Sequence, residues 1–135
     1  MNCTKICFPV LALLTLALKL SADPTNSPAL AKISTLEATN FYGKEMIVTG
    51  KVAQVSIRPG IVFLNLDKPY PNSPFALVIF PAATNQFGNI KALKGASVEI
   101  HGKVTDFHGK PEIVLEKSNQ LTVTSMALPQ APLGQ

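Results

Sequence analysis

The stretch GASVEIHGKVTDFHGKPEIVLE, residues 95–116, decides how this chain folds. Val98 and Ile100 alternate with polar residues, Gly102 interrupts, and the alternation resumes at Val104 before His108-Gly109 leads into Ile113 and Leu115. Apolar residues at a period of two describe strands with one buried face, so the stretch reads as a hairpin with a bend in its first strand. Residues 43–66, GKEMIVTGKVAQVSIRPGIVFLNL, repeat the pattern: a glycine, a second glycine seven positions later, Lys-Val, a turn and another strand. Glycine weakens a strand interior. Two glycines at matching places therefore argue for bends of the kind that the corners of a small closed barrel require.

Working outward, the first strand of the earlier hairpin covers residues 46–57. Val48 and Val52 share a face, and after Ala53 the parity moves to Val55 and Ile57, which predicts a bulge or a strand serving two sheets. Arg58-Pro59-Gly60 forms the turn. Residues 61–66 place Val62, Leu64 and Leu66 on one face and Ile61, Phe63 and Asn65 on the other. Three prolines between Asp67 and Pro74 rule out a continuing ladder and predict a stiff, exposed loop. Residues 75–80 are apolar throughout, as in a strand covered on both sides. Phe87, Ile90 and Leu93 then recur at threes before Gly95, which predicts a helix over 81–95 despite Gly88. Leu30, Ile33 and Leu36 predict a short helix or helical turn within 29–42 that caps one end. Leu121 and Val123 alternate in a short closing strand over 120–124.

The order is three strands, a helix, and two strands with an edge piece. An all-β fold with a short helix follows: a five-stranded OB-fold barrel whose helix lies between strands three and four. An SH3-like barrel is the competitor, but it has no need of a helix there.

With 135 residues the chain has room for one domain, and its first 22 residues do not read as part of it. Lys5 gives a positive start, residues 6–18 carry no charge, and Leu20-Ser21-Ala22 offers a small-residue cleavage site. This is the pattern of a secretory signal peptide, which implies a periplasmic or secreted protein with no membrane span after cleavage. The apolar run is shorter than the roughly twenty residues of a spanning helix, with an uncleaved anchor as the alternative. Both cysteines, Cys3 and Cys7, lie within it, so the expected mature chain has no disulfide, thiol nucleophile or cysteine metal ligand. Losing Lys5 and Lys19 lowers the net charge from +4 to +2, so the whole-chain charge overstates attraction to polyanions. Residues 23–29 read as a linker, 30–124 as the domain and 125–135 as a disordered tail.

The run FLNLDKPYPN at 63–72, the apolar 75–80, the Phe87-Gly88 pair and Gly109-Lys110-Pro111-Glu112-Ile113 together resemble a family of small secreted bacterial OB-fold domains. The likeness extends over residues 33–123. The chain departs where the family often has tryptophan near the end of strand three, for Phe80 stands there. The resemblance implies nucleic-acid binding, although a fold is a weak warrant for a ligand.

Single-stranded nucleic acid is held by aromatic platforms with cations beside them, since stacking supplies affinity and phosphate neutralisation supplies attraction. On an OB-fold that site is the face of strands two and three, between the loops joining strands one to two and four to five. Phe63 and Asn65 project from that face, Arg58 and Lys110 flank those loops, and Lys68 and Tyr70 lie in the adjoining proline loop. Against this stands a plain reading in which Phe63 packs beneath the first helix, Tyr70 locks the loop and the lysines are solvated surface. A groove with four cations predicts a salt slope of about −3.

Other chemistries fare worse. Asn65, Asp67 and Asn72 carry oxygen ligands but lack the glycine and second carboxylate of a calcium loop, so turn-forming hydrogen bonds account for them better. His101 and His108 fall on opposite faces, and neither zinc nor any cofactor is expected. The thermonuclease fold is also an OB barrel, but its chemistry uses two arginines, and Arg58 is the only one here. A non-catalytic module is therefore expected, with a protein strand, glycan or small ligand of the cell envelope as the alternative partner on the same face.

Overall fold

The computed structural model describes residues 29–126. The signal, nearly all of the linker and most of the tail expected from the sequence lie outside them. Eight strands run in the order β1 (Lys32–Ser34), β2 (Glu45–Arg58), β3 (Ile61–Leu66), β4 (Phe75–Ile79), β5 (Ser97–Lys103), β6 (Thr105–Phe107), β7 (Lys110–Leu115) and β8 (Leu121–Ser125). Their hydrogen-bonded sequence is β6-β7-β4-β3-β2-β5-β8, with β1 added parallel to β2.

The long strand β2 organises this sheet. Its first half pairs with β5, from Glu45↔Lys103 to Lys51↔Ser97, and its second half pairs with β3, with the register shifting between Val52 and Gln54. The parity change at Ala53 is thus a bulge at which one strand leaves one sheet and enters another. A matching break occurs at Val104, the single residue between β5 and β6, whose N–H and C=O bond to Lys44 O and Gly43 N. Val104 therefore links β6, at one end of the hydrogen-bonded order, along the chain to β5, which lies one strand in from the other end.

The bends fall three and two residues beyond the strand glycines Gly50 and Gly102. A Cβ on Gly50 would lie 2.8 Å from Thr35 Cγ2, and one on Gly102 would lie 2.7 Å from Ile113 Cγ2. These positions lack side chains because neighbouring layers pass too close for one. At the hairpin tips the requirement is conformational: Gly60 and Gly109 have φ of +79° and +80°, and His108 at +52° completes the two-residue turn between Phe107 and Lys110.

The inward faces of β2 to β5 and β7 meet in one core built on Val48, Val52, Leu64, Leu66, Phe75, Leu77, Ile79, Ile100 and Leu115, all buried. Strand β4 lies between β3 and β7; Phe75, Leu77 and Ile79 enter the core, while on its other face Val78 is buried and Ala76 is half-buried. At this level of packing each Leu or Ile stabilises the fold by about 2–3 kcal/mol relative to exposure.

Three expectations need correction. Of the helix or helical turn expected within 29–42, the turn is present as a 3-10 turn at Ala38–Phe41, but Lys32–Ser34 form the strand β1, because Ser34 and Glu37 close a local turn: the Ser34 N–H and hydroxyl donate to Glu37 Oε2 at 2.8 and 2.7 Å. The single helix expected over 81–95 is a four-residue α-helix, α1 (Pro81–Thr84), and a separate 3-10 turn at Ile90–Leu93, since Gly88 adopts φ +58° between them. Ser125, assigned to the tail, belongs to β8. Among the described residues no helix is long and apolar enough to cross a membrane.

Candidate functional site

Outside the core, the outer faces of β2, β3, β4 and β7 line one groove of about 270 Å³. Strand alternation places Gln54, Ser56 and Arg58 along one wall, while β3 contributes Phe63 and Asn65. The opposite wall is Phe107 of β6 with Lys110 and Glu112 of β7. Tyr70 and Ser73 of the proline loop close one end.

Register sets the floor. Gln54 pairs with Asn65, Asn65 with Ala76, and Ala76 with Glu112, so four side-chain positions stand in a row across four strands. With strands about 4.8 Å apart, Asn65 and Glu112 are anchored about 10 Å from each other. Only the methyl of Ala76 stands between them. The next row sets Ser56 beside Phe63 and Phe63 beside Val78, which leaves the Phe63 ring half-buried at the base of the groove.

The proline loop is held in place from both walls. The Tyr70 N–H donates to Gln54 Oε1 at 2.9 Å, and Lys110 Nζ donates to Pro71 O at 2.5 Å while lying 5.5 Å from the centre of the Tyr70 ring. Ser73 Oγ, buried beneath, donates to Phe75 O at 2.6 Å and lies 3.1 Å from Leu66 O. Tyr70 nevertheless remains 68% exposed and Phe107 55% exposed, so both rings are presented to solvent at the rim.

Five of the six residues singled out from the sequence meet here: Arg58, Phe63, Asn65, Tyr70 and Lys110. Lys68 does not line the groove. Asn65 shares the expected face but is only 5% exposed, and its Nδ2 lies 3.3 Å from Gln54 Oε1. Phe107, Gln54, Ala76 and Glu112 were not anticipated. The signal for Phe107 was readable, since a two-residue His-Gly turn sets it directly opposite Lys110. Burial pushes the Glu112 carboxyl above its ordinary range. The ion pairs among the described residues are Lys32–Glu99 and His101–Glu45, so Glu112 has no cationic partner.

The oxygen-bearing loop residues have a structural use. Asp67, at φ +61°, accepts the Lys51 N–H at 2.9 Å through Oδ1 and the Thr35 hydroxyl through Oδ2. These bonds reach other elements instead of the loop itself. His101 lies 3.3 Å from Glu45, and His108 packs edge-on against Phe107. Among the described residues no three His, Cys, Asp or Glu side chains gather as metal ligands would.

No protein-family model and no curated protein sequence matches the chain. Solved structures do. An aspartyl-tRNA synthetase from Entamoeba histolytica matches with a TM-score of 0.56 at 17% identity, over 83% of this chain and 25% of that one. The asparaginyl-tRNA synthetase of Pyrococcus horikoshii matches with a TM-score of 0.54 at 21% identity, over 71% and 23%. An OBody described as bound to hen egg-white lysozyme matches with a TM-score of 0.52 at 18% identity, over 69% and 92%. This chain therefore spans about a quarter of the length of the synthetases and nearly the whole of the OBody. At these identities the likeness establishes the fold, a predominantly β arrangement of the OB class.

Proposed function

We propose that this chain is an exported, non-catalytic OB-fold module that holds short stretches of single-stranded nucleic acid, weakly and mainly by stacking, in the groove between β2, β3 and β7. In this reading β2, β3, β4, β7 and the β5–β6 pair taken as one strand make a five-stranded barrel, with the helical segments preceding its fourth strand. The observation that carries it is the gathering of three rings, Phe63, Tyr70 and Phe107, around one groove flanked by Arg58 and Lys110. Rings at a concave rim can stack on bases of any identity, and cations beside them can meet the phosphates. The likeness to parts of two tRNA synthetases is in keeping with this ligand class. Hydrolysis is disfavoured because a lone arginine cannot form a two-arginine clamp on phosphate.

Fluorescence anisotropy with labelled single strands at low salt tests the proposal. The expected dissociation constant is on the order of 10⁻⁵ M, and Tyr70→Ala with Phe107→Ala should weaken it by about 1–3 kcal/mol per ring. Both rings are exposed, so the variants should fold. Absence of binding at high micromolar protein, or indifference to the double variant, removes the reading. A second reading has its own support: the OBody of the same fold is described as bound to a protein. An envelope protein or glycan would then occupy the same face, and a pull-down recovering one protein and no nucleic acid would favour it.

A further inference from the structure

Stacking alone gives a groove indifferent to base identity, yet one group on this groove's wall is not indifferent. Glu112 sets a carboxylate, half-buried and without an ion-pair partner among the described residues, across the Ala76 methyl from the amide of Asn65. An ionised carboxylate only accepts hydrogen bonds. Neither neighbouring cation pairs with it: Lys110 donates to Pro71 O and lies over the Tyr70 ring, Arg58 sits at the far end of β2, and neither forms an ion pair with Glu112. Burial that disfavours its charge agrees with a group lacking a partner in the free protein.

We propose that the slot over Ala76 is a base-selective subsite, in which Glu112 accepts from the Watson–Crick edge of a guanine and so gives the module a preference for guanine-containing single strands. This rests on the nucleic-acid reading above. The chemistry follows from the edges of the four bases. Guanine offers two adjacent donors, N1–H and N2–H, that a carboxylate can accept side by side. Adenine and cytosine each put a ring-nitrogen acceptor beside their amino group, and thymine flanks its one donor with two carbonyls, so each sets lone pairs against the carboxylate. The small side chain of Ala76 matters as much as the acid. Any larger residue there would fill the space between Asn65 and Glu112, whose anchors are about 10 Å apart. Asn65, with its carbonyl and amide, stands on the other side of the slot, in contact with Gln54.

The test compares thymidine oligonucleotides that carry isolated guanines, adenines or cytosines, titrated by anisotropy at low salt against the wild-type chain, Glu112→Gln and Ala76→Val. Guanine strands should bind the wild type about tenfold tighter than thymidine alone. Glu112→Gln, which offers a donor beside an acceptor, should lose that advantage and gain for adenine or cytosine, each affinity being read as a ratio to plain thymidine on the same variant, because loss of the charge strengthens binding to every strand alike. Ala76→Val should abolish the preference through space alone. Equal binding of all strands by the wild type, or a guanine preference that survives Glu112→Gln, overturns this subsite and leaves the stacking groove standing. If no strand binds, both fall.

Discussion

Gly102 lacks a side chain because Ile113 already occupies the space one would need. A methyl there would lie 2.7 Å from Ile113 Cγ2 and 3.3 Å from Gln120 Nε2, and the first of these contacts is with a fully buried side chain that has nowhere to retreat. Overpacking of this kind costs about 1–3 kcal/mol. Gly102→Ala should therefore lower the urea midpoint by that amount with an unchanged m-value. A change near zero would mean that β5 and β7 can separate freely, and the bend would then be a matter of backbone flexibility alone. Reading the glycines from sequence as bending sites pointed to the right neighbourhoods, but the breaks lie a few residues further on, at Ala53 and Val104, and the reason for each glycine is close packing. The constraint comes from a layer distant in sequence, and period-two alternation carries no record of it.

Between elements, Asp67 is the fastening point. It ends β3 in a left-handed conformation, its N–H donates to Lys51 O at 2.6 Å, and its carboxylate takes the Lys51 N–H and the buried Thr35 hydroxyl. One residue thereby joins β2, β3 and the turn after β1, and it sets the starting direction of the proline loop. Asp67→Ala removes both acceptors and strands the Thr35 hydroxyl, at a cost of about 2–3 kcal/mol. Asp67→Asn keeps one acceptor and tolerates the left-handed backbone, so about half that loss is expected in the same denaturation experiment. Equal losses for the two variants would trace the effect to charge instead of hydrogen bonding. β2, β3, β5 and β7 were legible because each has one buried face and therefore a readable period, whereas β1 lay hidden inside a helical spacing. The helical pieces were not: Leu36, which suggested a helix, is 75% exposed, and the true period of Ile90 and Leu93 is cut off from Phe87 by a left-handed Gly88. Five groove residues were legible because alternation on β3 and turn placement fix them locally. Ala76 and Glu112 were not, because only the parallel pairing of β4 with β7 brings them side by side, and no local signal encodes it.

At the scale of the whole molecule, the placement of charge decides how the protein meets a polyanion. The sequence placed Arg58, Lys68 and Lys110 beside this face, and a groove with four cations would have a salt slope of about −3. In the fold, Lys68 does not line the groove, Arg58 and Lys110 remain, and Glu112 adds an opposing charge. Two phosphate contacts on a single strand correspond to a slope of about −1.4 in log K against log salt. Arg58→Gln should reduce it to about −0.7, and Lys68→Gln should leave it unchanged. Lys110→Gln should cost more affinity than the loss of one phosphate contact predicts, because the same ammonium also holds Pro71 and the Tyr70 ring in position. A measured slope near −3 that falls on Lys68→Gln would mean that the strand leaves the groove and follows the proline loop outward. Affinity would then come from phosphates along that loop, and the three rings would serve only to set the strand's direction.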